Sequence, residues 1–372
     1  MVVTDHQKMK AASQRKTNWL LYVALILCAA IGISAWQGWR WWLSASAPVS
    51  ESLPRDSVVP DNRLEVVKID PGEPGQLIGI KLEEQGLIRS ANAWNMWTRW
   101  LIRQNPDGGY KAGTYQLSPD EPMQAIAQKI WNGEVMQLSF TVPEGWNLRQ
   151  MAAHFESQGF FTAEEFLAAT QEIPWAEYPW LPKDIPHLEG FLYPDTYKLR
   201  ADNITPQAII QPMLNRFEQV ALPVYQNPQN QTNLSLKEWV TLASIVEKES
   251  VVASERHRIA GVFTNRLKQG MTLGADPTVE YGLNIRQTED QPLTLAQVNT
   301  PNPYNTYLNA GLPPTPIAAP GVASLEATLA PEETEYLYFV ALYDGTHIFS
   351  RTLAEHEAAQ DAIWDERDPT LR

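Results

Sequence analysis

The sequence predicts an α+β fold in which a single N-terminal transmembrane helix precedes a strand–helix subdomain and a mixed α/β domain. An uncharged apolar run covers residues 19–36. Strand-like alternation followed by helical periodicity then occurs twice within residues 63–160. A strongly helical segment after residue 235 leads into loops rich in Asn, Tyr, Gly and Pro and a C-terminal hairpin. The chain has 372 residues and is 44% hydrophobic, which is enough for a sizeable core.

Composition excludes several classes of function. The net charge is −14, and no dense Lys/Arg patch interleaved with aromatic residues is present, so we expect no nucleic-acid partner. The single cysteine, Cys28, lies inside the apolar run, so the rest of the chain has no disulfide framework, CxxC site or thiol nucleophile. The six histidines lack metal-ligand spacing, and no Gly-rich phosphate loop is found. We therefore predict neither a metal nor a cofactor.

The apolar run WLLYVALILCAAIGISAW, about 18 residues long, just suffices to cross a bilayer. Four basic residues precede it against a single acidic one, Asp5, and basic residues stay on the cytoplasmic side. A cleaved signal peptide is the alternative, since SASA at 44–47 offers a small-residue site, but the apolar core is longer than usual. The predicted order is a cytoplasmic tail at 1–18, a transmembrane helix at 19–37, a juxtamembrane linker at 38–62, and an exported remainder.

The exported part begins with a strand–turn–helix pattern that occurs twice. RLEVVKIDPG alternates like a strand, and QLIGIKLEEQGLI has helical periodicity that stops at Gly86. LSFTVPEGWNLRQMAAHFESQGFF repeats the pattern 73 positions later. Between the copies, KAGTYQLSP is predicted to be a turn and strand and PMQAIAQKIWNGE a helix. Chance similarity is the alternative to a weak repeat, whose matching pairs are Gly72/Gly145, Ile78/Met151, Leu82/Phe155, Gln85/Gln158 and Gly86/Gly159.

Two glutamates lie two positions apart in the apolar segment LASIVEKES, residues 242–250. A capping box from Ser235 to Glu238 predicts that their helix begins at Ser235. At roughly 100° per residue, Glu249 shares a face with Leu242, Ile245 and Val246, whereas Glu247 points about 160° away. The two carboxylates therefore cannot face one cleft together. We expect the glutamate that takes no part in the reaction to pair with a cation, such as Lys248 or Arg256, or with backbone donors.

A carboxyl group among apolar side chains has a raised pKa, because burial disfavours its charged form. Such a group can act as a general acid on a glycosidic oxygen. The structural alternative is that both glutamates form salt bridges at the helix end. Glycosidases usually need a second carboxylate, and spacing does not choose among the four candidates Asp276, Glu280, Glu189 and Asp195.

Further motifs extend this segment into a resemblance. ASIVEKES, ASERHRIAGVFTNRL, LGADPTVEYG, TPNPYNTY, GLPPTPIAAPG and YLYFVA, preceded by VPEGWNL and LEGFLYPDTY, resemble the MltG/YceG-like endolytic murein transglycosylases over roughly residues 65–360. The resemblance implies cleavage of the β-1,4 bond between N-acetylmuramic acid and N-acetylglucosamine, leaving a 1,6-anhydro end on nascent peptidoglycan strands. It also implies a LysM-like subdomain at 63–140 and a catalytic domain at 141–372.

The resemblance assigns catalysis to Glu249 and a supporting role to Glu247. A lytic transglycosylase uses the C6 hydroxyl of its substrate as nucleophile, so one glutamate acts first as acid and then as base. Asn265 and Arg266 are expected to maintain local architecture. For Asn305 and Tyr307 a purely structural role is an open alternative. The residues predicted to bind substrate are Asp276, Tyr281, Asn305 and Tyr307.

The implied partners are peptidoglycan glycan strands, the membrane and peptidoglycan synthases. The implied location is the inner membrane, with the catalytic domain in the periplasm, where the enzyme would terminate strand elongation. Two other functions are open: a catalytically silent peptidoglycan-binding scaffold, and a muramidase that uses water and a second carboxylate such as Asp276. The presence of Glu249 favours an enzyme over the scaffold. The chemical nature of the new strand end, 1,6-anhydro or reducing, would distinguish a lytic transglycosylase from a hydrolytic muramidase.

Overall fold

The computed structural model describes residues 3–50, 64–230, 232–288, 291–342 and 344–367. The chain divides into two compact units. The first contains residues up to Gln137 together with Arg200–Asp202, and the second contains Leu138–Leu199 and the residues from Asn203 onward. The division predicted from the sequence falls at residues 140/141.

The first helix, α1 (Val3–Ser46), is longer than expected. Its segment Tyr22–Ser46 is long and apolar enough to cross a membrane, and the most apolar 18-residue part of it is not buried in the isolated chain. The helix continues to Ser46, past residue 38 where the predicted linker begins, because no proline interrupts the Trp-rich stretch before Pro48. Residues 51–63 of the predicted linker lie outside the described residues.

The rest of the first unit follows the order β-α-α-β-α. The strands β1 (Glu65–Ile69) and β2 (Gly113–Leu117) pair antiparallel, with Glu65 opposite Leu117. Between them lie α2 (Gly75–Glu84) and α3 (Ala91–Gln104), and α4 (Met123–Asn132) follows. The helix α3 was not predicted. These elements enclose one apolar core, whose largest fully buried side chains are Trp94, Tyr115, Ile78, Leu82, Leu87 and Leu117.

The predicted repeat is visible in the backbone. The helix α5 (Leu148–Ser157) begins 73 positions after α2, and both helices have 10 residues. Gly72 and Gly145, which precede them, have φ angles of 76° and 75°, in the left-handed region that favours glycine. Gly86 and Gly159, which follow them, have φ angles of 70° and 72°. The equivalence of the two turn–helix segments is therefore confirmed.

The second unit is mainly helical, with two small pairs of strands. The strand β3 (Gln137–Thr141) pairs with β4 (Thr196–Arg200), and the predicted C-terminal hairpin is confirmed as β5 (Tyr338–Ala341) and β6 (His347–Ser350). The remaining helices are α6 (Ala163–Ala169), α7 (Pro206–Gln226), α8 (Leu236–Glu249), α9 (Arg256–Lys268), α10 (Asp276–Leu283), α11 (Leu295–Val298), α12 (Val322–Leu329) and α13 (Leu353–Arg367).

The helix α8 lies between two apolar clusters. Ser235 and Glu238 form the predicted capping box, so the predicted start is confirmed. Trp239, Val240 and Ala243 pack into a cluster with α5, α6 and α7. Leu242, Ile245 and Val246 pack into a separate cluster with α9 and α10. The prediction that Glu247 and Glu249 project from different faces is therefore confirmed.

One predicted loop is a helix. The segment ADPTVEYG was expected to be loop because of its Pro, Gly and polar residues, but residues 276–283 form α10. Pro277 lies in the first turn, where its missing N–H costs no hydrogen bond. Thr278 and Val279 are buried, and Asn284 ends the helix with a φ angle of 53°. Helix α10 carries Asp276 and Tyr281 into the region of Glu249.

Candidate active site

Glu249, the last residue of α8, lines a cleft of about 640 Å³. The walls come from the end of α9, the start of α10, the loop before α12, the hairpin and α13. The polar residues that share the cleft with Glu249 are Arg266, Thr272, Asp276, Tyr307, His347, His356 and Gln360.

The carboxyl group of Glu249 is set to be protonated near neutral pH. Burial raises the pKa of Glu249 to about 8, and the nearby charges of Asp276 and Glu280 act in the same direction. Arg266 and Lys248 oppose the shift only in part. Within the described residues, Glu249 forms no salt bridge, so the alternative of paired helix-end salt bridges is wrong. A neutral carboxyl group at an open cleft can donate a proton to a leaving oxygen.

Asp276 and Tyr307 stand together in the cleft. The Tyr307 hydroxyl donates to Asp276 Oδ1 at 2.6 Å, and Gln287 Nε2 donates to Asp276 Oδ2 at 3.3 Å. Burial and the charge of Asp276 raise the pKa of the Tyr307 hydroxyl, so the phenol stays a donor. The structure thus brings two of the four predicted substrate-binding residues into one cleft with Glu249.

The predicted architectural pair Asn265 and Arg266 attaches α9 to the strand β5 and its approach. Asn265 Nδ2 donates to the carbonyl oxygens of Thr334 and Tyr336 at 2.7 Å and 3.2 Å. Arg266 Nη1 donates to the Leu273 carbonyl at 2.6 Å, and its guanidinium lies 4.9 Å from the ring centre of Tyr338. Arg266 also lines the cleft, so it places one fixed positive charge beside the carboxyl groups.

Glu247 holds the start of α12. Its Oε2 accepts from the backbone N–H of Gly321 at 3.0 Å and from the Ser324 hydroxyl at 2.7 Å. The predicted pairing with backbone donors is confirmed, whereas the cations Lys248 and Arg256 make no salt bridge to Glu247 in the described chain. A negative group at a helix N-terminus stabilises the helix.

A second carboxylate, Glu144, converges on the same helix start. A Cβ atom added to Gly321 would overlap the Glu144 carboxylate, which therefore lies against the first turn of α12. Burial and the charge of Glu247 raise the pKa of Glu144. The resemblance implies a supporting role for Glu247. Its hydrogen bonds to the start of α12 are a structural form that this role can take.

Tyr281 faces away from the Glu249 cleft. Its hydroxyl donates to Glu189 Oε2 at 3.0 Å, and both Glu189 oxygens accept from the Leu148 N–H at 3.1 Å. Glu189 is fully buried, and burial raises its pKa to about 7 despite these donors. Glu189 thus joins α10 to the start of α5. Of the other candidate carboxylates, Asp195 pairs with Arg216 at 2.7 Å.

Asn305 is buried and shapes the loop that carries Tyr307. Its Nδ2 donates to the carbonyls of Val298 and Thr300 at 2.8 Å and 2.9 Å, and its Oδ1 accepts from the Tyr307 N–H at 3.0 Å. These contacts correspond to the structural alternative raised for Asn305. Its substrate-binding role, like that of Tyr281, stays a prediction.

Sequence reasoning gave no role to several polar residues of the site. Gln287 was missed although its side chain bonds Asp276, because it follows α10 and no motif marks it. His356, on α13, lines the cleft and stacks on Tyr338 with ring centres 5.3 Å apart. His347 bonds Glu255 Oε2 at 2.8 Å through Nδ1. Only the spacing of the histidines along the chain was used in the sequence-based prediction, and that spacing does not show which residues are close in the fold.

The contact between Tyr307 and Asp276 can be tested by a single atom deletion. In Tyr307→Phe, the Asp276 carboxylate loses a hydroxyl donor, and we expect the catalytic rate to fall about tenfold, as the loss of one hydrogen bond to a charged group implies. The free energy of unfolding should change by about 1 kcal/mol or less. Initial rates and urea unfolding of the variant measure both, and an unchanged rate would contradict a role for this contact.

The raised pKa of Glu249 predicts a pH dependence of stability. Because the carboxyl keeps its proton in the folded protein up to about pH 8 but loses it near 4.5 when unfolded, its contribution is fully present below pH 4.5 and is lost as the pH rises towards 8. Glu249→Gln cannot lose a proton, so its advantage in stability over the parent should grow across this window. Urea unfolding of both proteins at pH 4.5, 6 and 8 measures the difference, and a constant difference would contradict the prediction.

The fold and the site together define a class: an α+β enzyme whose cleft is lined by a carboxyl group with a raised pKa, that of Glu249. A family model described as the YceG-like family matches residues 67–362. The chain therefore belongs to the YceG-like family.

Two relatives and one solved structure are similar to this chain over most of its length. An endolytic murein transglycosylase of Bacillus subtilis (strain 168) is 32% identical over 308 residues, covering 79% of this chain and 83% of the relative. An endolytic murein transglycosylase of Streptococcus pneumoniae serotype 2 is 28% identical over 363 residues, covering 90% of this chain but 63% of the relative. A crystal structure of a YceG-like protein from Listeria monocytogenes has 33% identity and a TM-score of 0.54, covering 80% of this chain and 99% of that chain.

Proposed function

We propose that this protein is an endolytic peptidoglycan lytic transglycosylase that cleaves the β-1,4 bond between N-acetylmuramic acid and N-acetylglucosamine in nascent strands. The observation that carries the proposal is the position of Glu249, whose pKa burial raises to about 8, in a cleft of a chain related to endolytic murein transglycosylases. The cleavage product would carry a 1,6-anhydro-N-acetylmuramic acid end, and cleavage would terminate strand elongation.

In the proposed mechanism Glu249 acts twice. The neutral carboxyl first donates its proton to the glycosidic oxygen as the bond from C1 to that oxygen breaks. The resulting carboxylate then takes the proton from the C6 hydroxyl of the muramic acid. At the same time the oxygen of that hydroxyl forms a bond to C1. The proton gained in the second step replaces the one lost in the first, so the enzyme is regenerated without water.

The neighbours of Glu249 have separate roles in this mechanism. The oxocarbenium-like transition state carries positive charge, which the Asp276 carboxylate would stabilise while the Tyr307 hydroxyl holds that carboxylate in place. Arg266 would limit the rise in the pKa of Glu249, since its charge favours the carboxylate formed midway. Glu247, Tyr281 and Asn305 would support the walls of the site, and Tyr281 would also contact substrate from the second surface that α10 lines.

The remaining parts of the chain would deliver glycan to the site. The apolar segment of α1 would anchor the protein in the inner membrane, with its amino terminus in the cytoplasm and the second unit in the periplasm. The first unit would act as a LysM-like module that positions glycan, and its compact β-α-α-β arrangement supports this assignment. Peptidoglycan synthases are the partners we propose, because termination acts on strands under synthesis.

Analysis of product ends tests the proposal. Uncrosslinked glycan strands are digested with the full-length protein in detergent micelles, and the fragments are separated and weighed by mass spectrometry. We expect internal cuts and 1,6-anhydro-N-acetylmuramic acid ends. Reducing N-acetylmuramic acid ends would instead identify a hydrolytic muramidase, and uncut strands that stay bound would identify a scaffold.

A further inference from the structure

A second concave surface lies beside the cleft, and its charge is unlike that of the chain. We name it the basic depression: about 360 Å³ lined by the cations Arg149, Lys248 and Arg286 and by the amides of Asn147, Gln150 and Asn284. We propose that the basic depression binds carboxylate groups of the peptide attached to muramic acid in the substrate. The inference rests on the proposed function, since it names the part of that substrate which occupies this surface.

The local charge favours an anion. The whole chain carries a net charge of −14, yet three cations and a single carboxylate, Glu280, line the basic depression. Glu280 Oε1 already accepts from the Gln287 N–H at 2.6 Å. Within the described residues, no salt bridge neutralises Arg149, Lys248 or Arg286. Cations that cluster in a cleft of an acidic protein raise the local concentration of anionic ligands.

Arg149 is held in place for recognition. Its Nη1 donates to the Tyr281 carbonyl at 3.0 Å and to Asn284 Oδ1 at 3.4 Å. Its guanidinium also lies 4.9 Å from the ring centre of Tyr281. Neither Nε nor Nη2 donates to a protein atom in the part of the chain that the structure describes. A planar guanidinium that is fixed on one side and free on the other suits a carboxylate, which can bind two N–H groups at once.

The basic depression lies close to Glu249. Lys248 immediately precedes Glu249, and consecutive Cα atoms are about 3.8 Å apart. Helix α10 forms a wall of both surfaces, because Asp276 lines the cleft while Pro277, Glu280 and Tyr281 line the basic depression. A muramic acid at Glu249 whose peptide extends across α10 would bring that peptide to Lys248 and Arg149.

Paired substrates test the inference with the full-length protein in detergent micelles. One substrate is uncrosslinked glycan with intact peptides, and the other is the same glycan after an amidase has hydrolysed the lactyl–peptide amide, which removes the peptide carboxylates and leaves only the lactyl carboxylate on the sugar. The measured quantity is the ratio of kcat/KM for the two substrates. We expect this ratio to fall roughly tenfold in Lys248→Gln and in Arg149→Gln, the usual effect of losing one hydrogen bond to a charged group.

Two features of the design isolate the peptide contact. Lys248 also lowers the pKa of Glu249, but a change in catalysis affects both substrates alike and cancels in the ratio. Lys198→Gln removes an exposed cation from β4, outside the cleft and the basic depression, and serves as the matched control with an unchanged ratio. Lys248 is exposed and forms no salt bridge in the described chain, so Lys248→Gln keeps the test valid even where Arg149→Gln disturbs folding.

A binding measurement distinguishes a peptide carboxylate from a free phosphate as the ligand of the basic depression. Glu249→Gln in full-length form is titrated with peptide-bearing glycan in the presence of a soluble muramyl peptide or of inorganic phosphate. We expect the muramyl peptide to compete and phosphate at equal concentration not to compete. Equal competition by phosphate, or a ratio that Lys248→Gln and Arg149→Gln leave unchanged, would overturn the inference. If the parent protein cleaves neither glycan, the proposed function itself fails.

Discussion

Replacing Glu249 with Gln lowers the turnover of glycan strands by roughly 10³-fold or more, because the variant can neither donate nor accept the reacting proton. Gln has nearly the shape of the protonated carboxyl group, so the cleft and its contacts should be preserved. The free energy of unfolding at neutral pH should stay equal or rise, since the raised pKa of Glu249 shows that its charged form is disfavoured in the fold.

Turnover is measured by counting new strand ends over time, with Glu247→Gln as the matched control on the same helix. We expect Glu247→Gln to keep most of its activity, because its side chain bonds Gly321 and Ser324 outside the cleft. Cleavage by Glu249→Gln at a rate close to that of the parent would show that another group is the acid.

The second large effect concerns stability. Glu247→Ala should lower the free energy of unfolding by about 2–4 kcal/mol, because the N–H of Gly321 and the hydroxyl of Ser324 each lose a carboxylate acceptor. Relief of the repulsion with Glu144 offsets part of this loss. Urea unfolding followed by tryptophan fluorescence measures the change.

The matched control for this prediction is Glu326→Ala, which removes an exposed carboxylate from α12. Its effect should stay within about 0.5 kcal/mol. A similar loss of stability in both variants would show that α12 is sensitive to any substitution, and that the hydrogen bonds of Glu247 at its start have no special role. Equal stability of Glu247→Ala and the parent would remove the anchoring role of Glu247.

The division of labour between the two glutamates was predictable because it depends on local geometry. A helical period of 3.6 residues and a capping box at Ser235 suffice to place Glu247 and Glu249 on different faces. The partner of Glu247 was not predictable from position alone. Gly321 and Ser324 are 74 and 77 positions away, and the packing of α12 against α8 brings them near.

The surroundings of Glu249 were harder to predict for the same reason. Composition suggested a loop at residues 276–283, but burial of Thr278 and Val279 favours a helix despite Pro277. That helix turns Tyr281 away from Asp276, so two residues of one motif line different surfaces. A motif shows which residues belong to a site, whereas tertiary packing decides which of them meet.

The central claim is that Glu249 uses a hydroxyl of the substrate and no water. Digestion of glycan strands in water enriched in oxygen-18, followed by mass spectrometry of the new ends, measures this most directly. We expect 1,6-anhydro ends without the heavy isotope, because the oxygen that bonds C1 comes from C6 of the same sugar. Ends that carry oxygen-18 at C1 would show that water attacked, and would contradict the claim.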